Sequence, residues 1–312
     1  MSKIITVTLN PAIDKSTSID QLLPEKKIRC AAPIFQPGGG GINVSRALQK
    51  LQNSSNCVYF SGGYSGDFFS ALLQQESIQI HPIKSKGITR ENFVVFDQSN
   101  QLQYRFGMPG IIVDEEECMM LLHEIEQMEN VDYMVVSGSM PIGAPPDLCS
   151  TLSKIAKQKS AKFIIDTSGE SLSAGLKSGA FLIKPNLSEL QSLCKQASIR
   201  YEDIPTIGKK MMEENHIENM IVSLGKEGAI LITHNKTWHL TPPQVNTVST
   251  VGAGDSMVAG IIHGLSQQWS LIDCAKYGVA CGTATTLQPG TALFNTIDIK
   301  QLLPEVSVKM IN

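Results

Sequence analysis

No apolar run in the 312-residue chain approaches the ~20 residues that a membrane-spanning helix needs. That argues against a membrane partner. Cysteine is sparse and unpatterned: there are seven, an odd number, with no C-x-x-C pair. Reduced thiols in a cytoplasmic protein fit this better than a disulfide framework or a zinc finger. Charge of one sign is missing as well, since 26 Lys plus Arg stand against 29 Asp plus Glu, a formal balance of −3. Such a chain has no general attraction to phosphate backbones, so no nucleic-acid partner is expected. The N-terminal M-S-K-I-I-T-V-T-L is followed by no cleavage signal, and a cytoplasmic location is the expectation. Internal repeats and low-complexity linkers are absent, and the length suits one large α/β domain over residues 1–312. The phosphate loop G-x-x-x-x-G-K-[ST] does not occur, so a nucleoside triphosphate would have to be held by another device.

Short β-rich runs do occur, and they alternate with segments of helical period. They are Ile4 to Leu9, Cys57 to Phe60, Tyr133 to Ser137, Phe163 to Asp166, Phe181 to Lys184 and Met220 to Ser223. Because nearly every residue in them is apolar, both faces of each strand should be covered. The fold class expected is therefore α/β, with a mostly parallel sheet sandwiched by helices. Sites in such sheets gather at the carboxyl ends of the strands. Those ends read Asn10-Pro11, Ser137-Gly138-Ser139, Lys184-Pro185-Asn186 and Ser223-Leu224-Gly225. Two segments interrupt the rhythm: Ile28 to Pro37, and Phe93 to Asp97 with Leu102 to Phe106 around a polar turn. They predict a small projecting β-sheet, a lid built from about 15–36 and 90–108, with a second copy of itself as one candidate cover.

Three motifs carry chemistry. In Pro37-Gly38-Gly39-Gly40-Gly41-Ile42-Asn43, consecutive glycines let backbone N–H groups approach a ligand. A loose turn is the bland alternative, and a nicotinamide-binding loop fits poorly because that motif should follow the first strand. In Ser249 to Gly260, S-T-V-G-A-G-D-S-M-V-A-G, the residues Gly252, Ala253 and Gly254 can present unpaired N–H groups to an anion as a helix begins. Asp255 follows in the first turn. It is either a good N-terminal helix residue or a base accepting a hydroxyl proton beside that anion hole. In Lys184-Pro185-Asn186-Leu187-Ser188-Glu189, the side chains of Asn186 and Glu189 share a helix face. They suit a capping box, Mg²⁺ or both.

Taken together and in this order, P-G-G-G-G-I-N-V, K-P-N-x-x-E and T-V-G-A-G-D make the chain resemble the ribokinase-like (pfkB) carbohydrate kinase family from end to end. Within it, N-P-A-I-D at Asn10 to Asp14, Y-R-F-G-M-P at Tyr104 to Pro109, S-G-S-M-P at Ser137 to Pro141 and I-I-D-T-S-G-E at Ile164 to Glu170 resemble the branch of minor bacterial 6-phosphofructokinases. The resemblance implies Asp255 as catalytic base with Gly252, Ala253 and Gly254 as the hole for the transferred group. It implies Asp14, Gly38, Gly39 and Asn43 around the sugar, with Arg90, Arg105 and Ser139 on the phosphate that the sugar already carries. Lys27 and Arg29, on the other lid strand, would complete that site. Lys184 and Asn186 would lie near the ATP phosphates, Glu189 near Mg²⁺ through water, and Ser223, Gly225, Gly228 and Thr250 along the nucleotide. Ser249, Val251 and Gly290 would mark a monovalent-cation site for K⁺. Ser249 stands where many relatives carry Asp, and Ala292 where a polar or basic residue is common, which weakens the potassium inference.

The resemblance thus implies ATP-dependent phosphorylation of fructose 6-phosphate at its 1-hydroxyl, with Mg²⁺, in a homodimer formed through the lid strands and inhibited by a second ATP. Tagatose 6-phosphate and fructose 1-phosphate are the alternative substrates, because stereochemistry at one hydroxyl depends on side-chain placement. A nicotinamide-dependent oxidoreductase and a non-catalytic sugar-phosphate sensor are the rivals of other classes. The first lacks its fingerprint after the first strand, and the second sits badly with Asp255.

Overall fold

The computed structural model describes residues 3–311; Met1, Ser2 and Asn312 lie outside it, as do the side chains of Ser171, Leu172, Ala174 and Glu170, the last residue of the I-I-D-T-S-G-E motif. In chain order the strands are β1 (Ile4–Thr8), β2 (Ala12–Ile19), β3 (Ile34–Gly38), β4 (Asn56–Ser61), β5 (Gln79–Lys84), β6 (Arg90–Asp97), β7 (Leu102–Phe106), β8 (Tyr133–Ser137), β9 (Lys162–Asp166), β10 (Ala180–Ile183), β11 (Ile217–Ser223), β12 (Ala229–Thr233), β13 (Thr237–Thr241) and β14 (Ser307–Ile311). Ten of them form one sheet in the order β14-β13-β12-β11-β10-β9-β8-β1-β4-β5. From β5 across to β11 every pairing is parallel, and the remainder continues antiparallel.

The apolar runs are buried on both faces, as their composition requires. Alternate side chains of one strand enter different cores: Ile5 and Val7 of β1 join the cluster beneath helices Glu115–Gln127, Leu148–Gln158 and Ile204–Glu214. Ile4 instead joins the opposite cluster, under helices Gly40–Lys50, Ala253–Ser266 and Leu271–Thr286. The last two of these pack closely because Gly260 faces Gly278, where a Cβ on Gly260 would come within 2.9 Å of the Gly278 Cα. A stiff central layer thereby holds the helix that begins at Ala253. Among the described residues no helix is long and apolar enough to cross a membrane.

The second sheet is the lid, in the order β3-β2-β6-β7. It differs from the expected one in two respects. One of its two inner strands, β2, lies in a stretch without apolar alternation, A-I-D-K-S-T-S-I, most of it half-buried. The strand expected over Ile28 to Pro37 begins only at Ile34, directly after Pro33, which has no N–H to give to a ladder. Pro37 is tolerated inside β3 because that strand is an edge.

Candidate active site

Gly252 precedes the helix Ala253–Ser266 in the left-handed region, φ 76° and ψ −1°, with no side-chain cap over the helix mouth. Ala253 N donates weakly to the Thr250 carbonyl at 3.4 Å, while the N–H groups of Gly252 and Gly254 have no partner among the described residues and are left for a ligand, where the helix dipole favours an anion. A side chain at Gly252 would be strained by that φ and would meet Leu293 Cδ2 at 2.9 Å. One turn in, the Asp255 carboxylate accepts from Asn43 Nδ2 at 2.8 Å and from Ser137 Oγ at 3.5 Å. Burial pushes this carboxyl up to about 7 and the like charge of Asp166 adds to the rise, while Asn43, Lys184 and Ser137 oppose it. A base that titrates near neutrality can both take a proton and release it.

Lys184 and Asp166 form the floor. Their side chains are only 6% and 13% exposed, and Nζ lies 3.0 Å from Asp166 Oδ1. Burial alone would depress the lysine, yet the charge and hydrogen bond of Asp166 outweigh it and hold Lys184 above its usual range. The absence of a side chain at Gly254 lets this cation reach the helix mouth, since a Cβ there would stand 3.2 Å from Nζ. Next along the chain, Asn186 and Glu189 form a reciprocal capping box: Glu189 N donates to Asn186 Oδ1 at 2.9 Å and Asn186 N to Glu189 Oε2 at 2.9 Å. Burial also raises the Glu189 carboxyl. Among the described residues no group of three or more His, Cys, Asp or Glu could hold a metal. A magnesium ion bound with substrate phosphates needs only one or two carboxylates, so the Glu189 carboxylate suits it, with the Asn186 amide oxygen beside it.

Beside the helix mouth opens a cavity of about 730 Å³. Its walls include Asn186, Ser223, Gly225, Gly228 and Thr250, the residues expected along a nucleotide, together with Ala253 and Gly254. Lys226, Glu227, Pro242 and Pro243 also line it and had no role assigned from the sequence. Ser249 Oγ donates to the Gly290 carbonyl at 2.7 Å, and Val251 N donates back to Ser249 Oγ at 3.3 Å. The three residues expected around a monovalent cation are therefore together, with the hydroxyl proton turned onto the carbonyl.

The core–lid junction is built around Asp14 and Arg90. Asp14, on β2, accepts from Asn92 Nδ2 at 3.0 Å, and burial raises its carboxyl against the pull of Asn92 and of Arg90, Arg46 and Arg105. Gly38 faces it so closely that a Cβ would fall 2.3 Å from Asp14 Oδ2. The rest of the glycine run seats the helix Gly40–Lys50 on the sheet, for a Cβ on Gly40 would strike Ser137 Oγ at 2.2 Å. Arg90, at the start of β6, donates to the carbonyls of Asn10 and Met108 at 3.1 and 3.2 Å. Exposed Arg105, on β7, bonds only Gln103 among the described residues. Ser139 accepts from Asn10 Nδ2 at 3.0 Å. Lys27 and Arg29 stand apart. They lie exposed in the irregular segment between β2 and β3, not on a lid strand, and among the described residues their side chains make no ion pair or hydrogen bond.

Asn10 and Ser137 are legible in the sequence as strand ends but without a role, and Asp166 is not singled out there at all; it too stands at the carboxyl end of a core strand, the signal that could have pointed to it.

A family model described as pfkB family carbohydrate kinase matches residues 5–298. The ATP-dependent 6-phosphofructokinase isozyme 2 of Escherichia coli is 36% identical over 98% of this chain and 100% of its own. The 1-phosphofructokinase of Bacillus subtilis is 33% identical over 98% of this chain and 99% of its own. Among solved structures, phosphofructokinase-2 of Escherichia coli in complex with potassium superposes with a TM-score of 0.94 at 36% identity, covering 98% of this chain and 99% of that one.

Proposed function

On the premise that this chain belongs to the pfkB family of carbohydrate kinases, we propose that it transfers the terminal phosphoryl group of ATP to the 1-hydroxyl of fructose 6-phosphate. One observation carries the reading: a carboxylate poised near neutrality, Asp255, follows directly on Ala253 and Gly254, which line a cavity of about 730 Å³, and is held by Asn43 at the end of the glycine run. In this reading Asp255 takes the proton of the sugar hydroxyl as its oxygen bonds to phosphorus. Asn43 keeps the carboxylate turned toward that hydroxyl. Charge spread over the transferring group meets the first-turn N–H groups of Gly252, Ala253 and Gly254 and the Lys184 ammonium. Positioning contributes more than base strength, because the phosphoryl group is largely metaphosphate-like as it moves.

Glu189 and Asn186 would hold Mg²⁺, partly through water, and the ion would neutralise phosphate charge when bound. Ser249, Val251 and Gly290 would hold K⁺; the potassium complex of the Escherichia coli neighbour supports a potassium ion in this fold, and the Ser249 hydroxyl and Gly290 carbonyl oxygens already meet here. Arg90, Arg105 and Ser139 would bind the sugar's own phosphate. Lid closure over the sugar would exclude water and protect ATP from hydrolysis. The lid exposes Ile34 at 62% and Leu102 at 55%, and a second copy of the chain is proposed to cover them.

The second reading is a 1-phosphofructokinase, favoured by the similarity to the Bacillus subtilis enzyme. A ketohexose carries its two primary carbons at opposite ends, so the same pocket could seat either phosphate. A coupled assay of ADP formation with fructose 6-phosphate, fructose 1-phosphate and tagatose 6-phosphate decides. The highest kcat/KM is expected for fructose 6-phosphate. Preference for fructose 1-phosphate would install the second reading, and no ADP with any of them would remove both.

A further inference from the structure

Asn10, directly after β1, has no part in the chemistry above, yet it touches both sides of the core–lid junction. Its side chain donates to Ser139 Oγ at 3.0 Å, in the loop after β8 of the core. Its backbone carbonyl accepts from Arg90 Nη2 at 3.1 Å, at the start of β6 in the lid. The residue is 7% exposed, and Gly110, on the segment returning from the lid, presses against its amide: a Cβ there would fall 2.5 Å from both Nδ2 and Oδ1. Arg90 Nε is buried without a partner among the described residues, as is Asn10 Oδ1. The guanidinium is therefore aimed by backbone carbonyls on its outer nitrogens while a donor stays free.

We propose that Asn10 is a positioning residue for the phosphate group that the sugar already carries, holding Ser139 and Arg90 so that their donors converge on one anion. This rests on the assignment of Ser139 and Arg90 to that phosphate. Two donors carried by separate sheets would otherwise have to be ordered when the substrate binds, and ordering them beforehand saves that cost. The side-chain bond governs Ser139 directly, whereas Arg90 is governed by the backbone. Replacing the side chain thus loosens one donor and shifts the other only as far as the β1 end moves. Gly110 supplies an independent handle, because a methyl group there displaces the amide without removing it.

The test uses Asn10→Ala and Gly110→Ala in the full chain, with KM and kcat measured for ATP, fructose 6-phosphate, fructose 1-phosphate and unphosphorylated fructose. Each variant is expected to raise KM for the preferred sugar phosphate by about tenfold, as for one lost charge-assisted hydrogen bond, with KM for ATP within about twofold. The preference for sugar phosphate over fructose should fall by the same factor. A merely structural role would raise KM for ATP or depress turnover of fructose equally, and either result overturns the proposal, as does an unchanged preference in both variants. Should Asn10→Ala fail to fold, Gly110→Ala reads the same preference with Asn10 present. A wild-type protein that turns over none of the sugar phosphates removes the functional reading and this inference together, whereas intact preference in the variants removes only the role of Asn10.

Discussion

Asn43 Nδ2 donates to Asp255 Oδ2 at 2.8 Å, joining the first helix after the glycine run to the helix that begins at the anion hole, 212 residues later. The bond does two things at once. It orients the carboxylate, and it pulls the carboxyl pKa down against the burial that pushes it up.

Replacing Asp255 by Asn should remove the proton acceptor while keeping the shape of the pocket. A loss of kcat of about 10²–10⁴ is expected, the range for a single general base, with ATP binding retained. Steady-state kinetics and a nucleotide-binding titration check this. Turnover close to wild type would strip Asp255 of its role as base.

The acid side of the pH profile follows from the same group. Asp255 works deprotonated and its carboxyl is raised to about 7, so kcat/KM should fall as pH drops through about 7. For stability the sign is reversed. The folded pKa lies above the unfolded value of 3.8, so the folded state holds the proton more tightly and stability is lost as pH rises from that value through about 7. Asp255→Asn removes this loss, and its Tm relative to wild type should be higher at pH 8 than at pH 5. Thermal unfolding at the two pH values checks the sign.

Lys184→Met leaves Asp166 buried without its cation. Breaking such a pair typically costs about 3–5 kcal/mol, and the double variant with Asp166→Asn should recover part of that loss. Urea unfolding of the four proteins in the cycle measures the recovery; additive losses would mean that the pair is not coupled.

Gly252→Ala puts a methyl group on a left-handed residue at the helix mouth. A stability loss of about 1–2 kcal/mol is expected from the backbone conformation, together with a fall in kcat as the first-turn N–H groups shift. An alanine variant with unchanged stability and turnover would show that the mouth tolerates a side chain.

In solution the lid should pair with a second copy. Light scattering should give twice the chain mass, and Ile34→Glu, on an edge strand at 62% exposure, should shift it toward the monomer. A monomeric wild type would leave the lid face unpaired.

Much of this site was legible early because its motifs are local. G-A-G-D spells a helix start, an unblocked mouth and a carboxylate within four consecutive residues, and K-P-N-x-x-E spells a capping box within one turn. Six of the ten strands of the wide sheet were legible because strands covered on both faces are almost wholly apolar; β5, β12, β13 and β14 were not among the runs read, and β5 and β14 carry exposed residues that interrupt any apolar run. The lid was less so. Strand β2 carries aspartate, lysine, serine and threonine in a row because its middle is half-buried on both faces, and its partner β3 begins after a proline. Lys27 and Arg29 were expected on a strand and lie on an irregular segment, since their backbone finds no ladder to join.

What the sequence determined by itself is therefore the set of short-range devices: which apolar strands are fully covered, where the helix at Ala253 begins, and that small residues open it. Only the tertiary structure decided which distant groups meet. That Asn43 restrains Asp255, that Asp166 charges the floor beneath it and that Asn10 holds both Ser139 and Arg90 depends on parallel strands ending side by side. Parallel pairing is set by long crossover connections, so neighbours at the strand ends are far apart along the chain and leave no mark in local spacing.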